Sequence, residues 1–67
     1  MTPIISALVI WTRAAKGRIA TITMASASPV HCYLTDPELG GAFGTADTLE
    51  DAVAQALRNI TGREPTP

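Results

Sequence analysis

An α+β fold is expected, a three-stranded antiparallel meander with one C-terminal helix packed on one face, in the order β-β-β-α. Three observations predict it. Ile4–Thr12 is a continuous apolar, largely β-branched run; Arg18–Met24 and Val30–Thr35 alternate apolar and polar residues; and Asp47–Gly62 carries helix signals at both ends.

Taken in order, Ile4–Thr12 reads as a strand because β-branched residues favour extended backbone. It is apolar on both sides, with Ile5, Val9 and Trp11 on one and Ile4, Leu8 and Ile10 on the other. One helix covers one face, so the other calls for a partner or a second copy, and a homodimer is expected on this ground. Arg13–Gly17 reads as a hairpin turn. In the second strand Ala20, Ile22 and Met24 share the buried side, while Thr21 and Thr23 face out. Ser26-Ala27-Ser28-Pro29 is a small-residue connection. In the third strand Val30, Cys32 and Leu34 face in, and His31, Tyr33 and Thr35 face out. Asp36–Gly44 holds three glycines and a proline and reads as a loop, with Phe43 a plug over the end of the core. Asp47 or Thr48 caps the helix, and Leu49, Ala52, Val53, Ala56, Leu57 and Ile60 form one apolar stripe. That stripe is expected to pack on Ala20, Ile22, Met24, Val30, Cys32 and Leu34. Gly62 suits a left-handed helix end, and Arg63–Pro67 reads as a frayed tail.

At 67 residues the chain makes a single small domain, residues 1–67, with little core to spare. A hydrophobic content of 46% argues against disorder. The net charge of −1 argues against direct nucleic-acid binding, which draws on a clustered basic excess. With one cysteine no internal disulfide forms, and Pro3–Trp11 is too short to cross a bilayer, so a soluble cytoplasmic protein without membrane contact is expected.

No enzyme and no cofactor are expected. His31 and Cys32 are adjacent on a strand and diverge, which denies the thiol a neighbouring base. One histidine and one cysteine give no closed metal-ligand set, and the glycine-rich loop lacks the lysine of a phosphate loop. What remains is binding. Asp36, Glu38, Asp47, Glu50 and Asp51 fall within sixteen residues and are the candidate partner-binding patch, with His31 and Tyr33 from the exposed strand side. Carboxylates of this kind would meet a basic surface on a protein target.

Asp36-Pro37-Glu38-Leu39-Gly40-Gly41, then Thr45, then Asp47 to Leu57 (Asp-Thr-Leu-Glu-Asp-Ala-Val-Ala-Gln-Ala-Leu) resembles the antitoxin domain of the HicB family. That family reads as a strand ending in a Pro-Asp/Glu-Leu-x-Gly loop, followed by a Thr-x-Gly-Asp-Thr-x-Glu-Glu-Ala cap that opens a helix. Ala46 stands where the pattern prefers glycine, and Asp51 replaces the second glutamate. The resemblance covers about a third of the chain. It implies a partial RNase H-like fold that blocks a small RNA-cleaving toxin without catalysing anything. In size and style, though not in motif, the chain also looks like a phage-encoded anti-CRISPR inhibitor, which would cover a nucleic-acid site of a CRISPR effector complex. Either way the expected partner is a protein with a basic, nucleic-acid-binding surface.

Overall fold

The computed structural model describes residues 3–63. The order is α1 (Pro3–Arg13), β1 (Ile19–Ala25), β2 (Ser28–Asp36), β3 (Gly40–Ala46) and α2 (Leu49–Thr61). The strands form one antiparallel sheet in the order β1-β2-β3. The α+β class, the three-stranded meander and the C-terminal helix are as expected, but the meander uses a different set of strands, and a helix precedes it.

Ile4–Thr12 is helical, not extended. Proline suits the first helical position, where its missing N–H costs nothing, and Pro3 occupies it. The residues that meet the core are Ile4, Ile5, Leu8 and Trp11, a helical spacing, whereas Ile10 is 69% exposed. Burial of this stripe outweighs the β preference of the isoleucines and the valine. With the first strand gone, the ground for a two-sided strand completed by a second copy goes too. Arg13–Gly17 therefore links α1 to β1 and is no hairpin turn. Gly17, at φ 83°, is pressed against the ring of Pro37, which a β-carbon there would meet at 2.5 Å.

The third strand comes from the segment read as a loop. Asp36 closes the preceding turn by accepting from the N–H groups of Glu38 and Leu39, and Gly40 leaves it at φ 85°. Gly40–Ala46 then pairs with β2, Leu34 facing Ala42 and Cys32 facing Gly44. Gly44 is needed for a close approach, because a β-carbon would come within 2.6 Å of the Ala56 nitrogen and 2.7 Å of the Gln55 β-carbon on α2. In the β1–β2 hairpin, Thr23 faces His31 and Ala25 faces Ser28, so Pro29, which has no N–H to give, falls in the irregularity between them.

Thr48 is the N-cap of α2, accepting from Asp51 N at 3.2 Å; of the two candidates, Asp47 has no such bond. Gly62 ends the helix at φ −65°, a right-handed conformation, not the left-handed one expected, and its N–H donates to Arg58 O. Ala52, Val53, Ala56 and Ile60 are buried, with Leu49 and Leu57 half-buried beside them. The stripe is as expected, yet its seat differs: α2 lies chiefly on β3 and also on β2, while α1 lies against α2 and β1. Ile22 and Met24 thus stay 39% and 66% exposed instead of receiving the helix. Both helices share one core with the inner sheet residues Cys32, Leu34 and Ala42. Among the described residues no helix is long and apolar enough to cross a membrane. Of the expected tail, residues 64–67 lie outside the described residues.

Candidate functional site: the uncovered sheet face

Successive strand residues point to opposite faces, and both helices take the same one. The other face is left with Ile19, Thr21 and Thr23 from β1, His31, Tyr33 and Thr35 from β2, and Gly41, Phe43 and Thr45 from β3. Register sets these in rows. Thr21, Tyr33 and Phe43 stand abreast, and so do Thr23, His31 and Thr45. Tyr33 and Phe43 are direct cross-strand neighbours, 46% and 64% exposed, and Ile19 is 61% exposed. The Tyr33 ring lies over Gly41, where a β-carbon would come within 2.8 Å of its Cζ. His31 shares a hydrogen bond of 3.1 Å with Thr45 Oγ1 through Nδ1.

Of the expected site residues, His31 and Tyr33 thus lie on one open surface. The acids do not form one patch. Asp36 is buried, ion-paired with Arg18 at 2.7 Å through Nε, and it accepts from two turn N–H groups. The Arg18 hydrogen bond, followed by those from Leu39 and Glu38, holds its carboxyl below the usual range. Arg18 also donates from Nη1 to Trp11 O at 2.9 Å and lies 4.6 Å above the Trp11 ring, which ties α1 to the sheet. Asp36 is thus engaged within the fold and apart from the exposed acids. Glu38 is exposed in the β2–β3 turn. Asp47, Glu50 and Asp51 are exposed around the start of α2, at the other end of β3, which spans roughly 20 Å at ~3.3 Å per residue.

Cys32 is fully buried on the helix side, and burial pushes its thiol pKa up, while His31 points the other way. Among the described residues no three of His, Cys, Asp and Glu gather as a metal site. Phe43, expected as a core plug, instead doubles the aromatic surface of Tyr33. The alternation Ala42, Gly44, Ala46 against Gly41, Phe43, Thr45 carried that signal, but the glycines masked the strand.

Chemically, the face offers flat apolar area with hydroxyl and imidazole groups and no formal charge. No Lys, Arg, Asp or Glu stands between Arg18 and Asp36, nor within Gly40–Ala46. Phosphate would find no cation on it, whereas a protein surface would find adjacent aromatic anchors. No family model matches the sequence, and no curated protein or solved structure matches it either.

Proposed function

We propose that the chain is a non-catalytic protein-binding domain that inhibits a nucleic-acid-processing partner by laying its uncovered sheet face on it. The observation that carries this reading is the exposed Tyr33–Phe43 pair on a sheet face that neither helix covers. Tyrosine is enriched among residues that dominate binding energy, and a rigid sheet holds it at low entropic cost. The HicB resemblance supports the class of partner, a small RNA-cleaving toxin. The residues that carry it fall on the end of β2, the following turn, β3 and the capped start of α2. Asp47, Glu50 and Asp51 add negative charge at one end of the face, suited to a basic partner, and their main effect is on the association rate.

Affinity capture with the intact chain, compared with Tyr33→Ser/Phe43→Ser, tests the reading. The wild type is expected to retain a basic protein that cleaves RNA on its own and stops doing so when the chain is added. The double variant, folded by circular dichroism, is expected to lose both effects. Equal capture and inhibition by the variant would exclude the face, and a captured protein without action on nucleic acid would exclude the partner class.

A further inference from the structure

The two edges of the sheet are treated differently. On β3, three outward backbone groups are engaged from α2 and the turn that follows it: Thr45 N donates to Gln55 Oε1, Asn59 Nδ2 donates to Phe43 O, and Arg63 Nη1 donates to Gly41 O. Gln55 and Asn59 lie one turn apart on α2 and Arg63 follows just past its end, so these side chains occupy part of that edge. This also decides which groups face out on β1. Since Phe43 turns its backbone away from β2, its neighbour Tyr33 turns toward β1 and bonds Thr21. Ala20, Ile22 and Met24 therefore direct their N–H and C=O groups outward. Among the described residues, no hydrogen bond from another element reaches them.

We propose that this edge pairs, antiparallel, with β1 of a second copy of the chain about a two-fold axis at Ile22. The occupant follows from the strand itself. Read outward from Ile22 in both directions, Ala20 comes opposite the other copy's Met24, and Thr21 opposite its Thr23. The faces therefore match: Ile22 and Met24 of both copies meet on the helix side, and threonines meet on the open side, a favourable cross-strand pair. All outward N–H and C=O groups of Ala20, Ile22 and Met24 find partners in that register. A two-fold contact sets each charge near its own copy, and β1 contains none. Exposed edges are normally blunted by lysine, proline or an inward charge, and Ile19–Ala25 has none of these. The inference stands apart from the proposed inhibition, because the side chain at its centre, Ile22, is on the helix side of the sheet and not on the Tyr33 face.

Sedimentation equilibrium of wild type, Ile22→Lys, Ile22→Glu and an equimolar mixture of the two variants tests it. Wild type is expected at twice 7.0 kDa. Each variant alone sets like charges on the axis and is expected to dissociate, with a dissociation constant raised about tenfold or more. The mixture places Lys against Glu and is expected to recover the dimer. Amide exchange adds a readout on the unaltered chain: Ala20, Ile22 and Met24 should become protected as concentration rises. A wild type that stays at 7.0 kDa overturns the proposal, even if it pairs with a strand of another protein. So does a dimer indifferent to both variants, or exchange at these amides that does not depend on concentration.

Discussion

A carboxylate that accepts from a guanidinium and two backbone N–H groups has little left to offer a partner, and Asp36 accepts from Arg18, Glu38 and Leu39 at 2.7, 2.7 and 2.9 Å. Its folded pKa lies below the ordinary value. The stabilisation is therefore complete above the unfolded carboxylate pKa of about 3.9 and is lost as pH falls through the lower folded value. Asp36→Asn keeps an acceptor for the turn but not the ion pair. It should lower the melting temperature at neutral pH and flatten the acid limb of stability below about pH 4, as thermal melts across that range will read. An acid limb as steep as in wild type would show the carboxyl to be unpaired. The acid itself was plain in the sequence, but its partner was not. Arg18 is 18 residues away and arrives only through the register that sets Ile19 opposite Thr35. The Thr48 cap, by contrast, is made within four residues, and local spacing was enough to narrow it to two candidates.

At the scale of elements, α2 was legible because its period and its cap agree and both are local. The first helix was not. Ile4–Thr12 is apolar almost throughout, so no period stands out against the β-branched bias; the decision falls to the core that Leu8 and Trp11 enter. Gly40, Gly41 and Gly44 signal turns in the sequence and so hide β3, yet at Gly44 the glycine serves packing. Gly44→Ala would drive a methyl into the α2 backbone, at 2.6 Å from Ala56 N. A loss of about 1–3 kcal/mol is expected, at about 4–8 °C in melting temperature for each kcal/mol. Gly41→Ala meets the Tyr33 ring first, a side chain on an open face that can swing aside, so it should cost less. Equal losses in the two melts would mean that α2 sits farther from β3 than 2.6 Å to that methyl implies.

For the molecule as a whole, α1 is a part of the core and not an appendage. Leu8 and Trp11 are buried in the same cluster as Cys32, Leu34 and the α2 stripe. The chain's one tryptophan reports on this directly. Trp11 fluorescence and far-ultraviolet circular dichroism should trace a single coincident urea transition. A tryptophan signal that moves at lower urea would show α1 peeling away first. The open face was half legible on the same scale. His31 and Tyr33 follow from the alternation of β2, while Phe43 needed β3 to be recognised and the sheet to be left bare on that side.

The side chains that reach the β3 edge from α2, and from Arg63 just past it, also bear on how far this sheet can grow. Gln55, Asn59 and Arg63 leave it, in assembly terms, nearer to monovalent. A strand that adds at β1 leaves a far edge these side chains already occupy in part, and a copy of the chain that adds there uses its own more open edge in doing so. Pairing through β1 would then favour stopping at two protomers over propagating into a fibre, although that strand is uncharged and rich in β-branched residues. Substituting Gln55 and Asn59 by alanine would remove that stopper, and the number of subunits, not the strength of any one contact, is what would change.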